Sequence, residues 1–136
     1  ALDYAPNGKS FCTAGKDNII RVYDERQKNS SSALGIKWHT HGHNNRIFSL
    51  KYKPDDPNII ASGGWDQNVP SSYILDKYLG FKIRNSLATI FGPKIAGDSV
   101  DIRDNYVLAG ANRGNDQLEL WDWKMNKVVT KFRWDQ

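Results

Sequence analysis

Ser62, His43 and Asp66 are the three residue types from which a serine hydrolase is built. A hydroxyl, an imidazole and a carboxylate can serve as nucleophile, general base and the group that orients the base. Such a site also needs its serine on a strained turn, typically G-x-S-x-G, and donors for an oxyanion. Ser62 lies in Ile59-Ile60-Ala61-Ser62-Gly63-Gly64, which announces neither. The other chemical candidate is His39-Thr40-His41-Gly42-His43. Alternate residues of a strand face the same way, so His39, His41 and His43 could meet one metal ion. No Cys or carboxylate lies within a few residues to complete the set, and the Glu that follows His-x-His in cupin metal enzymes is absent. The expectation is therefore no catalytic residue, no metal and no cofactor.

The elements that carry these residues repeat. Tyr106 to Trp123 reads as a β-hairpin: an apolar run, Gly110, a turn rich in Asn, Gly and Asp, and a second run ending in Trp121-Asp122. Asn and Gly accept the positive φ that tight hairpins demand. Ser10 to Asp24 follows the same plan and ends in Tyr23-Asp24, and Ile59 to Val69 begins it again. Gly15, Gly63 and Gly110 are spaced by 48 and 47 residues. The strand Arg46 to Tyr52 is largely apolar or small on both faces, which fits a sheet packed on both sides. One stretch breaks the period: counting from Asp66 puts Tyr73 where an acid belongs, and Pro70 falls where a strand needs its N–H. Either Tyr73-Ile74-Leu75-Asp76 is a shifted strand with a bulge, Asp76 standing in for the usual acid, or Pro70 to Ser86 is an insertion.

Together, Gly42-His43, Ser62, Asp66, Tyr23-Asp24 and Trp121-Asp122 resemble the WD-repeat β-propeller family, whose repeats run to roughly 40 to 45 residues. The resemblance implies an all-β fold, a propeller of four-stranded antiparallel blades, present as an incomplete arc of about three blades. Residues 1–24 form the first, 36–76 the second and 87–123 the third, with 128–134 the outer strand of the next. Because ALDYAP already lies inside a strand pattern and VVTKFRWDQ ends in one, the chain reads as an excerpt of a longer one. In that family a His, a Ser or Thr, an Asp and a Trp form a hydrogen-bonded chain within a blade. Carried over, the second unit offers His43, Ser62 and Asp66, the first Thr13 and Asp17 with Tyr23, and the third Asp116 and Trp121, with Lys94 near the place of a His. The role is structural, since a buried imidazole and carboxylate are costly unless each satisfies the other.

The resemblance further implies a noncatalytic scaffold for protein–protein contacts in a larger assembly, cytoskeletal and ciliary ones among the candidates, in an intracellular and chiefly cytoplasmic setting. A single cysteine, Cys12, excludes an internal disulfide and is compatible with a reducing compartment. No long uncharged apolar stretch marks a membrane span. The net charge of +4 comes from dispersed Lys and Arg, so the RNA- or DNA-binding alternative is weaker than protein binding, and a metal-dependent enzyme built on the three histidines is the other alternative. Most of the five tryptophans are expected to pack between blades. Trp65 is the exception because it lies in a turn, and Arg113 occupies the corresponding turn of the third unit. These two are the expected partner contacts.

Overall fold

The computed structural model describes residues 1–26, 43–66, 72–78, 82–90 and 94–133, the side chains of 72–78 and 82–87 excepted. These residues form eleven strands in three antiparallel sheets. The first sheet is β1 (Leu2–Tyr4), β2 (Ser10–Thr13) and β3 (Arg21–Asp24). The second is β4 (Ile47–Lys53), β5 (Asp56–Gly64), β6 (Ser72–Tyr78) and β7 (Lys82–Ile90). The third is β8 (Val100–Arg103), β9 (Tyr106–Gly110), β10 (Leu118–Asp122) and β11 (Lys127–Phe132). Every sheet is an up-and-down meander, and the first strands meet from sheet to sheet, β1 against β4 and β4 against β8. The turns use the residues that tolerate positive φ: Gly8 at 65°, Asn18 at 63°, Asp104 at 53°, Asp116 at 52° and Asn126 at 50°.

Burial explains the sequence pattern. In the middle sheet β4 and β5 are covered on both faces, so Ile60, Ala61, Ser62 and Gly63 of β5 are all buried in succession. One core seam, with Cys12, Val22, Leu50, Tyr52 and Ile60, joins the first sheet to the second. The other, with Ala61, Ile90, Ile95, Val100, Ile102 and Val107, joins the second to the third. The third sheet is covered on one face, and β8 alternates buried and exposed accordingly. Burial raises the Tyr52 hydroxyl above its ordinary pKa, which keeps a neutral phenol in the first seam.

The same hydrogen bonds lock successive sheets. Ile47 N–H donates to the Gly15 carbonyl and Ile95 N–H to the Gly64 carbonyl, each at 3.1 Å. Trp65 N–H donates to the Arg46 carbonyl and Asn112 N–H to that of Lys94. Gly64, not Gly63, is thus the counterpart of Gly15, while Gly63 matches Gly110. Gly63 has its own reason to lack a side chain: an added Cβ would lie 2.7 Å from Val100 Cγ2 and 2.8 Å from Ile95 Cγ1.

With that alignment the irregular stretch becomes regular. Asp24 stands opposite Ser10, Asp76 opposite Ile59 and Asp122 opposite Tyr106, at equivalent places in the three sheets. The chain from Tyr73 to Asp76 is therefore a strand displaced along the sequence, with Asp76 as the acid and Leu75 in the place of Tyr23 and Trp121. The added residues fall in the sequence between β5 and β6, and the irregular register lies on the far side, between β6 and β7. Where the repeat puts the outer strand of a following unit at 128–134, the observed strand, Lys127–Phe132, is bonded to β10 and closes the third sheet. Residues 36–39 lie outside the described residues.

Candidate functional site

Asp66 follows β5 directly and turns its carboxylate back over the segment entering β4. Its Oδ2 lies 2.5 Å from His43 Nδ1, and its Oδ1 accepts the N–H groups of Asn44 at 3.0 Å and Asn45 at 2.9 Å. An ionised carboxylate only accepts, so Nδ1 is the donor, and His43 Nε2 meets Ser62 Oγ at 2.9 Å. The structure thus joins His43, Ser62 and Asp66 in one chain of hydrogen bonds, and the strand register puts Leu75 at the position that Trp121 holds in the third sheet. Gly64 makes the approach possible, since a Cβ there would sit 2.7 Å from His43 Nδ1 and 2.9 Å from the Arg46 carbonyl oxygen.

This geometry matches a hydrolase triad in connectivity and fails it in access. Ser62 is 0% exposed, and the His43 and Asp66 side chains are 2% and 0% exposed. The glycines on its C-terminal side have no room for even a methyl group, so a substrate carbonyl cannot reach Oγ. What the arrangement does is fasten the start of β4 to the end of β5. Both nitrogens of His43 are engaged, which withdraws it from a metal-ligand set. His39 and His41 lie outside the described residues.

The other two units differ from the expectation. Asp17 holds Arg21 at 2.6 Å and accepts Ile19 N–H at 3.3 Å, and no hydrogen bond joins it to Thr13 among the described residues. The Arg21 hydrogen bond holds the Asp17 carboxyl below its usual pKa, against a small opposing effect of burial. In the third sheet the place of Asp66 belongs to Arg113, not to Asp116. Arg113 bonds the Glu119 carboxylate, and its Nε donates to the Asp116 carbonyl at 3.0 Å. Trp121 Nε1 donates to Glu119 Oε2 at 2.9 Å, so its partner is a strand glutamate rather than a Ser–His–Asp chain. Asp116 faces Lys131 at 3.4 Å. Since Arg21 and Glu119 hold equivalent register positions, opposite Thr13 and Ala109, the first and third sheets carry the same turn-to-strand ion pair with its charges exchanged. Sequence reasoning missed this pair. The signal was a buried-strand Glu119 two residues before Trp121.

Trp65 is 40% exposed beside buried Asp66. Its ring meets Phe48 edge to face at 6.3 Å, and Lys94 Nζ lies 4.3 Å from its centroid. Arg46 lies 5.7 Å over the Phe48 ring. Arg113, by contrast, is tied to Glu119 and is not a free rim residue.

The hydrogen-bonded His43–Ser62–Asp66 chain sits within the residues that a family comparison matches. The family described as WD domain, G-beta repeat matches residues 1–24 and 35–69. Both segments match as WD40 repeats. Actin-interacting protein 1 of Drosophila melanogaster is 31% identical over 64 residues, which cover 47% of this chain and 10% of that protein. Among solved structures, U3-55K superposes with a TM-score of 0.71 at 16% identity, over 99% of this chain and 39% of that chain. The computationally designed Ika8 protein gives a TM-score of 0.70 at 21% identity, over 97% of this chain and 35% of that chain. At such identities these likenesses carry the fold alone: antiparallel propeller-type sheets in an arc that does not close. The chain spans about a tenth of the curated relative and well under half of either structure. WD40 repeats imply an interaction scaffold, and the family is generally noncatalytic. No helix among the described residues is long and apolar enough to cross a membrane.

Proposed function

We propose that this chain is a noncatalytic scaffold that holds other proteins at the rim carrying Trp65, as part of a larger multiprotein assembly in the cytoplasm. The observation that carries the reading is Trp65 itself, a large aromatic left 40% exposed at a turn whose next residue is pinned by three hydrogen bonds. A rigid anchor loses little entropy when a partner covers it, and tryptophan is prominent among residues that dominate interfaces. Asn112, exposed, takes the equivalent place in the third sheet. The buried thiol of Cys12 suits a reducing compartment. The relative's name records an interaction with actin, which makes actin one partner to test here.

The test is recovery of proteins from cell extract by wild type and Trp65→Ala, with Val129→Ala as control because Val129 is also exposed, on β11. Co-sedimentation with actin filaments runs in parallel. Loss of partners with Trp65→Ala, at unchanged thermal stability and with Val129→Ala unaffected, is the expected result. Equal recovery by all three would move the function away from this rim.

A further inference from the structure

We infer that the segment held at this rim is an acidic stretch of protein, an inference that rests on the rim being the binding surface. Three cations stand along it. Lys16 occupies the place of Trp65 in the first unit, and Arg46 and Lys94 occupy equivalent places before β4 and β8. None of the three has a carboxylate partner among the described residues. The acids of the same turns are already engaged. Asp66 is held by His43 and two backbone amides, while Asp17 pairs with Arg21 and Glu119 with Arg113. Asp98, in the segment leading to β8, accepts the Ser49 hydroxyl at 3.0 Å. At the opposite ends of the strands, acids are interspersed among the cations, as with Lys53 and Asp55.

The aromatic rings set the geometry. Arg46 lies over Phe48, Phe48 meets Trp65 edge-on and Lys94 lies over Trp65, which makes a stripe of cation, ring, ring, cation. Cations laid on rings are held in place and partly shielded from water, which strengthens their pull on a carboxylate. A chain crossing the stripe can set acidic side chains on Arg46 and Lys94 and an apolar one between them on Trp65. A nucleobase would need the Trp65 face for stacking, and Lys94 occupies that face. The stripe therefore favours an acidic peptide with interspersed apolar residues over a nucleic acid.

Fluorescence anisotropy on the full-length protein tests this with a labelled peptide of about a dozen alternating Glu and Leu residues, a length that extended chain geometry makes ample for the stripe. Its counterpart with Gln for Glu and an oligouridylate of equal length are the comparisons. The Glu peptide should bind about tenfold or more tighter than the Gln peptide and weaken as salt rises. Arg46→Glu with Lys94→Glu should abolish binding, whereas Lys9→Glu with Lys127→Glu, the same charge change elsewhere, should alter it by no more than about twofold. No binding of the Glu peptide, equal binding of the Gln peptide, equal loss from both double variants, or tighter binding of the oligonucleotide overturns the inference. If protein partners still depend on Trp65 while the Glu peptide shows no preference, acidity is wrong and the scaffold reading stands. Loss of both results removes the scaffold reading as well.

Discussion

His43 commits both ring nitrogens to buried partners, so its worth is measured in stability. Replacing it by alanine leaves the Asp66 carboxylate without its ring donor in a site with 0% side-chain exposure. The expected cost is about 1 to 3 kcal/mol, read as a lowered midpoint in thermal or urea denaturation. A midpoint that holds while a measured activity disappears would instead make the three residues catalytic. Gly64→Ala should destabilise through the same site, because its new Cβ meets His43 and the Arg46 carbonyl, whereas Gly97→Ala meets nothing within 4 Å and should be nearly neutral. Ser62, His43 and Asp66 were legible in the sequence because they match, residue by residue, the pattern of the repeat family that it resembles, and a buried imidazole and carboxylate need such partners. The need for Gly64 was not, since two adjacent glycines look alike until the backbone assigns one to the histidine and the other to the next sheet.

Among elements, the turn after the second strand shows where counting along a sequence fails. The turn of the third unit is two residues longer than that of the first, which puts Arg113 in the place of Asp17 and Asp116 at a left-handed turn position, φ 52°. Strand order, hairpins and the two-sided burial of β4 and β5 were readable from alternation and turn residues. The exchanged ion pair was not, because it is defined by register rather than spacing. The two pairs should differ in worth. Glu119 is 1% exposed and loses its guanidinium partner in Arg113→Ala, which should lower stability by about 1 to 3 kcal/mol despite the remaining Trp121 and Lys131 contacts. Asp17 and Arg21 are 47% and 30% exposed as side chains, so Asp17→Ala should change stability by less than about 1 kcal/mol. Its carboxyl is depressed in the folded state, so the small contribution is present above the unfolded value of 3.8 and fades as pH falls through the lower folded value. Denaturation midpoints of both variants at neutral and acid pH separate the two cases.

At the scale of the whole molecule, the middle sheet defines what a covered sheet looks like, and its neighbours show what an uncovered face costs. The first sheet leaves Leu2 65% and Tyr4 51% exposed, with Tyr4 tilted against Phe11, which stacks on Tyr23. The third leaves Val129 and Phe132 52% and 43% exposed. Shallow depressions run along it beside Leu108, Gly110 and Leu118. Apolar faces of this kind drive association when nothing covers them. A polypeptide of these 136 residues alone should therefore self-associate, seen in sedimentation velocity as a weight-average mass that rises with concentration above 15.5 kDa. Leu2→Lys with Phe132→Lys should bring that mass down without lowering the denaturation midpoint, because both side chains lie outside the two core seams. A monodisperse wild-type monomer with a sharp cooperative melt would mean that these outer faces need no cover in water.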